Sequence, residues 1–473
     1  MEHPSEMKTQ MPRMKKLLFV AAVNPSSLVE NRYPPLWPAF LAAYADRHLG
    51  TDQAEFHYGT GRIERLLDRH RPDLLAISSV TQNYGYAVEY AQEAKRRGIP
   101  VVIGGMHIST LPTSLSPGMD VACLGEGEET FLELLRLFLE TGRFASADLC
   151  RIRGIAYRSD EGELIRTELR SHRHEIDQLP HPKRSVIGYG RRAYMYTSRG
   201  CAYQCVFCAC TKFWGKVRHA SADYIVEELE DLAGRGTRVV RFADENFIAN
   251  VPRFEEIAEK IQQHGLHRRL TFSCWCRANC VTAEIARTLR AMNVTSVKLG
   301  LESGSQRVLD FLKGEVTIED NRNAVLRLKE AGMQVNADFL FGAPDETLDE
   351  MMETYEFIRH SPIDQFDINI FSPLPGTAVW ELAKKNGLVD DVSMDWGRLN
   401  YKFISDERRT INLSQRLNHG QLKKMHKKFQ HLRYMRMLQA LPKSPWRREF
   451  PSLALKKCGL LVREWMQPNI RKA

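Results

Sequence analysis

The chain has 473 residues, 43% hydrophobic and 26% charged, the composition of a globular protein long enough for two to four domains of about 100–200 residues. Its longest apolar run near the start, 17–23, stops at Asn24-Pro25, too short to cross a bilayer and without a small-residue cleavage site, so membrane spanning and secretion are not expected. The net charge of +9 is uneven: residues 408–473 hold seventeen Lys/Arg against two acids, Glu449 and Glu464, which leaves the body mildly acidic.

Residues 1–14 are polar and Met-rich and read as a disordered tail. From residue 15 strands and helices alternate. Strands are expected at 17–23, 73–79, 100–104 and 121–124, with helices at 38–48, 63–70, 84–97 and 131–139. Short apolar strands separated by helical stretches imply a parallel α/β sheet covered on both faces over 15–145. Glycine-rich turns at its strand ends are where such a sheet binds a ligand. Residues 146–190 break the rhythm with a hairpin, 154–158 and 163–167, and a Pro-marked linker. A second series over 191–385 has strands at 194–198, 239–243, 270–274, 296–301, 335–341 and 367–372, each followed by a helical stretch. Six such units predict a partial (β/α)6 barrel of TIM type with its site at the C-terminal strand ends. From 386 to 473 the pattern becomes helical and basic.

The ten cysteines are clustered, which in a reducing compartment points to metal or redox chemistry. Cys201, Cys205 and Cys208 are spaced C-x3-C-x2-C on the loop leaving the first barrel strand. Three thiolates at this spacing can hold three corners of a [4Fe–4S] cluster and leave the fourth iron open. Cys210 is badly placed to reach that corner, and a zinc site with His219 is the bland alternative. Cys274, Cys276 and Cys280 are either a second metal site or buried packing.

With these residues the stretch 191–385 resembles the radical S-adenosylmethionine (SAM) superfamily. The resemblance implies that SAM chelates the open iron and is cleaved to a 5′-deoxyadenosyl radical. It also implies SAM contacts for Phe207, between the last two cysteines; for Asp244 and Glu245 at the second strand end; for Arg277 after the third; and for Glu302 after the fourth. Gly342-Ala343-Pro344 and the turn 373–377 resemble later cofactor-binding turns.

The whole chain is similar to the cobalamin-binding radical-SAM class, with its Rossmann-like domain ahead of the barrel. Asn24, Ser78, Ser79, Gly104, Gly105, His107, Gly125, Glu126 and Gly127, each following a strand, are the candidate cobalamin contacts. The histidine motif D-x-H-x-x-G that supplies a cobalt ligand in other cobalamin domains is absent: Asp46-Arg47-His48-Leu49-Gly50 is one residue short and reads as a helix end. A tRNA methylthiotransferase is disfavoured, since Cys123 and Cys150 are too few for a second cluster there. The class implies a cytoplasmic enzyme, most simply a methyltransferase acting on an unactivated carbon of a small-molecule or lipid substrate. A flavodoxin or ferredoxin would supply electrons. A cyclase or oxidoreductase without methyl transfer, and a corrinoid-binding sensor with a scaffold barrel, are the alternatives. The basic tail reads as a helical cap, with peripheral contact to an anionic membrane as a second reading; no specific nucleic-acid module is present.

Overall fold

The computed structural model describes residues 13–24, 34–172, 175–392, 394–402 and 406–440. By internal packing the described residues form two units, one drawn from 13–201, 209–237 and 374–398, the other from 202–208, 238–373 and 399–440.

The first unit is built on a seven-stranded sheet. Its elements are β1 (Lys15–Ala21), α1 (Trp37–Leu49), β2 (Ala54–Gly59), α2 (Ile63–His70), β3 (Leu74–Ser78), α3 (Tyr84–Arg96), β4 (Val101–Gly104), α4 (Met106–Thr110), β5 (Val121–Cys123), α5 (Glu128–Thr141), α6 (Ser146–Leu149), β6 (Ile155–Arg158) and β7 (Leu164–Arg166). The strand order is β2-β1-β3-β4-β5-β6-β7. The first five strands are parallel, and β6 and β7 continue the sheet antiparallel from β5. The hairpin of the sequence reading is therefore part of this sheet and not a separate insert. The core is Phe19 stacked on Phe56 and flanked by Trp37 and Phe131, with Leu17, Val102, Val121, Leu134 and Tyr157 around it. Also in this unit are β8 (Arg192–Met195), β9 (Ser198–Arg199), α7 (Cys210–Trp214), β10 (Arg218–His219), α8 (Ala222–Gly234) and, much later in the chain, α15 (Ala378–Lys385). The strand expected at 194–198 is corrected to two pieces. β8 ends at Met195, and β9 turns to pair antiparallel with β10.

The second unit contains β11 (Val239–Phe242), α9 (Val251–Gln263), α10 (Leu266–Arg269), β12 (Thr271–Cys276), α11 (Ala283–Ala291), β13 (Val294–Glu302), α12 (Gln306–Leu312), α13 (Ile318–Glu330), β14 (Gln334–Phe341), α14 (Leu348–His360), β15 (Gln365–Ile370) and α16 (His419–Ala440). The five strands run parallel in chain order across the sheet. Val297, Leu299, Val335, Ala337, Phe339, Phe366 and Ile368 form one face, buried under helices; Phe339 meets Phe357 of α14. Strand alternation puts Ser273, Ser296, Lys298, Asn336, Asp338 and Asp367 on the other face, where they remain half-buried. The helical reading of 386–418 is corrected: the described residues there hold only 3-10 turns at Trp396–Leu399 and Glu407–Arg409. Short side chains take over the backbone donors, as in Val392 N–H to Asp390, Gly397 N–H to Asp395 and Arg408 N–H to Asp406, and such local bonds compete with a helix. Among the described residues no helix is long and apolar enough to cross a membrane. Residues 441–473, with most of the apolar part of the basic tail, lie outside the described residues, as does most of the expected tail at 1–14.

Candidate functional site

The expected cobalamin contacts all sit at the C-terminal edge of the first sheet. Ser78 closes β3, Gly104 closes β4, and Asn24 follows β1 half-buried. Gly105 is at φ +96°, and a Cβ there would lie 2.6 Å from Ser78 Oγ and 2.8 Å from Ser79 O, so only glycine lets the two turns touch. Gly125, at φ +73°, accepts no such constraint; its N–H donates to Ser109 Oγ at 3.0 Å. Gly127 precedes α5, and a Cβ there would press on Leu41 at 3.3 Å.

His107 behaves differently. It is fully buried, its Nδ1 3.2 Å from Thr81 Oγ1 and its Nε2 3.0 Å from Ser114 Oγ, and its ring packs on Tyr84 and Trp396. Burial pushes its pKa down to about 3. Both ring nitrogens are engaged within the fold, so the structure places His107 as a buried packing residue behind the strand-end turns.

Beside these turns is a cavity of about 460 Å³, lined by Ser109, Thr110, Gly125, Glu126, Glu128, Arg170, His172, Lys212, Phe213 and Thr377 among others. That is the size of a small-ligand pocket. Glu126 is held by Arg199 and Arg218. Burial raises the pKa of Glu126, but the two guanidinium groups outweigh it and leave the carboxyl below its ordinary range.

In the second unit the cysteine loop turns through Cys208 N–H to Cys205 O at 3.0 Å and is pinned by Val206 N–H to Leu312 O at 3.1 Å. Cys201, Cys205 and Cys208 are half-buried and free of disulfides. Among the described residues no three His, Cys, Asp or Glu side chains are gathered as a metal-binding group. The donor set nevertheless fits an iron–sulfur cluster: three uncrosslinked thiols on one short loop, Cys205 among them beside cations. Burial raises the Cys205 pKa, while Lys313 and Arg277 oppose it. Arg277 Nη1 donates to Cys205 Sγ at 3.5 Å, Nη2 to Gly314 O at 2.8 Å, and its guanidinium lies 3.8 Å from the Tyr203 ring centroid. Its backbone N–H is held by Asn246 Oδ1, which follows the buried Asp244 and the half-buried Glu245.

Glu302 ends β13 at φ +61°, where the strand register slips, and is nearly buried with Lys313 Nζ 3.4 Å away. Burial raises its pKa against the pull of Lys313. A non-glycine residue in this backbone region at a strand end is a sign of function. Phe207 meets Phe371 edge-on, and Phe311 packs on the same ring.

Cys274 and Cys276 share the buried face of β12 with Phe272, their sulfurs 3.7 Å apart, whereas Cys280 bonds Tyr203 Oη at 3.2 Å. The first two are packing residues, and the second-cluster alternative gains nothing from them. Sequence reasoning missed Lys313, Tyr203 and Glu346. Glu346 is buried; Oε2 accepts the N–H groups of Gly342 and Ala343 at 2.6 and 3.1 Å, and Oε1 has no hydrogen-bond partner among the described residues. A glycine turn at φ +83° needing an acceptor was the available signal.

Comparison with known proteins gives two family matches: the radical SAM superfamily over residues 195–358 and the B12 binding domain over residues 27–135. An uncharacterized methyltransferase of Pyrococcus horikoshii is 29% identical over 404 residues, 81% of this chain and 86% of the relative. The anaerobic magnesium-protoporphyrin IX monomethyl ester cyclase of Cereibacter sphaeroides is 25% identical, over 89% of this chain and 69% of its own. Among solved structures, the radical SAM methyltransferase TsrM from Kitasatospora setae, with cobalamin and a [4Fe-4S] cluster bound, superposes with a TM-score of 0.66 at 19% identity, covering 88% of this chain and 91% of its own; at that identity the likeness is one of fold.

Proposed function

The chain belongs to the B12-binding radical SAM enzymes, and from that premise we propose that it methylates an unactivated carbon of a polar small molecule. Its cofactors are a [4Fe–4S] cluster, SAM and cobalamin, and that membership sets aside the sensor reading. When bound, the cluster supplies the electron that cleaves SAM to a 5′-deoxyadenosyl radical, and cobalamin supplies the methyl group.

Cys201, Cys205 and Cys208 would hold three irons. Arg277, fixed in place by Tyr203 and Gly314, would meet the SAM carboxylate, and Asp244, Glu245 and Glu302 would take its amino group and ribose. Phe207, Phe371 and Phe311 form an aromatic wall that would keep water from a carbon radical. Gly104, Gly105, Gly125 and Gly127, with the cavity beside them, would take the corrinoid.

The observation that carries the methylation reading is the presence of both sites in one chain, and the Pyrococcus relative above is named a methyltransferase. A lipid is the less fitting substrate. On the unburied face of the second sheet Lys298 pairs with Asp338 at 2.9 Å and Asp367 at 3.5 Å, Arg433 with Asp367 at 3.1 Å, and Asn336 with Ser296 at 2.8 Å. Covering such a face with hydrocarbon would strip it of solvent without replacing the lost hydrogen bonds. The reductant would be an external flavodoxin or ferredoxin.

The second reading is a radical cyclase without methyl transfer, supported by the Cereibacter relative. The test is anaerobic turnover of the reconstituted enzyme with SAM, reductant and the polar and lipid fractions of a host extract. Methyl transfer predicts S-adenosylhomocysteine and 5′-deoxyadenosine in equal amounts with the polar fraction. 5′-Deoxyadenosine alone would replace methylation by the cyclase reading.

A further inference from the structure

We infer that Arg199 is a positioning residue that ties the setting of the cysteine loop to occupancy of the corrinoid crevice, an inference that rests on the function proposed above. Arg199 lies two residues before Cys201. Its Nη1 donates to Glu126 Oε1 and its Nη2 to Glu128 Oε1, both at 2.6 Å, and its guanidinium carbon lies 5.5 Å from the ring centroid of Phe40 and 5.4 Å from that of Trp214. Arg218, its register partner across β9 and β10, reaches both oxygens of Glu126 at 3.0 and 2.8 Å. All four side chains are nearly buried, between 6 and 11% exposed.

Two arginines facing one another on a buried ribbon repel unless anions hold them. Here the anions come from the turn after β5. Glu126 and Glu128 also line the 460 Å³ cavity, so a ligand filling it touches the same two residues whose carboxylates hold Arg199. The link to the cysteine is short. Gly200, at φ +92°, is packed against the backbone of Lys216 and Val217, where even a Cβ would sit 3.2–3.3 Å from its neighbours, so little slack remains between Arg199 and Cys201. A displacement of the guanidinium therefore passes to the first cluster ligand.

A lysine at this position keeps the charge but cannot bridge two carboxylates with one planar fork. The test uses the full chain, reconstituted with iron-57 and sulfide, with hydroxocobalamin as the probe. The readouts are Mössbauer spectra of the cluster with and without the probe, the affinity for the probe by absorbance, and 5′-deoxyadenosine formed from SAM without substrate. In the wild type, hydroxocobalamin is expected to alter the iron spectrum. In Arg199→Lys the spectrum should no longer respond and SAM cleavage should fall on the order of tenfold, while four irons remain and probe affinity changes less than about threefold. Glu128→Gln, which breaks the same bridge from the other side, should reproduce the loss and covers the case in which Arg199→Lys fails to fold. A wild-type response in both variants overturns the inference, as does a wild type that binds the probe with no change at iron. A wild type that binds no hydroxocobalamin overturns it too, but together with the corrinoid function itself.

Discussion

The two units build their strand-end sites from different materials. At the first sheet the turns after β4 and β5 are glycines, and none of helices α1 to α5 has a side-chain hydrogen bond at its N-terminus. In the second unit α9, α11, α13 and α14 each begin on an Asn or Thr whose side chain closes the first turn, twice in a full capping box. Its strand ends carry buried acids or guanidinium at four turns, Asp244, Arg277, Glu302 and Glu346, whereas those of the first sheet are confined to Glu126 and Glu128 after β5. Open backbone donors and small residues suit a large ligand recognised by shape, whereas placed charges suit a small, reactive one.

The contrast breaks most visibly at the cluster. Cys208→Ala should lower iron content and cut SAM cleavage on the order of 10³-fold or more, while corrinoid retention is unchanged. Loss of both cofactors together would mean the two sites are one. The reciprocal change is Gly105→Ala, which forces a Cβ against Ser78 and Ser79 at an unfavourable φ. It should destabilise by about 2–4 kcal/mol and release corrinoid, with iron retained, as read by denaturant midpoint and cobalt analysis.

Two buried titrations sharpen the comparison, in opposite directions. The folded chain holds His107 near pKa 3, while the unfolded imidazole protonates near 6.5, so stability is lost as pH falls through that window. The slope approaches about 1.4 kcal/mol per pH unit, and His107→Gln should flatten the curve of urea midpoint against pH without loss of corrinoid. Loss of corrinoid would restore His107 as a ligand. Glu346 is the smaller effect. Burial raises its pKa to about 7, against the backbone bonds from Ala343 and Gly342 and above the ordinary 4.5, so the folded chain keeps a proton that the unfolded one gives up. Stability is lost as pH rises from 4.5 to 7, and Glu346→Gln should be the more stable protein above pH 7 by about 1–3 kcal/mol in the same assay. A difference between the two proteins that does not change between pH 4.5 and 7 would mean that Glu346 keeps its ordinary pKa in the fold.

Much of this was legible in the residues. Continuous apolar runs gave β1, β3, β4 and β5, and the order of Cys201 to Glu302 along the chain gave the site its sequence of parts. β2 escaped because it is a half-exposed edge strand, Ala-Glu-Phe-His-Tyr-Gly, with neither an apolar run nor clean alternation. The helix read into 386–418 failed because apolar spacing there competes with Asp and Asn side chains that bond the nearby backbone. What lay beyond the sequence were pairings made by distant segments, such as Lys313 with Glu302, Arg199 with Glu126 and His107 with Ser114. No local pattern records a partner that only folding brings close.

Residues 374–398 return to the first unit late in the chain, and Val379, Trp380, Ala383 and Trp396 among them are buried. Trp396 packs on His107 and Tyr84, the Asp391 carbonyl accepts the Thr113 hydroxyl at 2.9 Å, and Gly376 leaves no room for a Cβ beside Thr110. During synthesis, at about 5–20 residues per second, the opening sheet must therefore wait many seconds for its last wall. A module cut near residue 145 would leave out part of the unit that carries the crevice, since residues as late as 398 contribute to it.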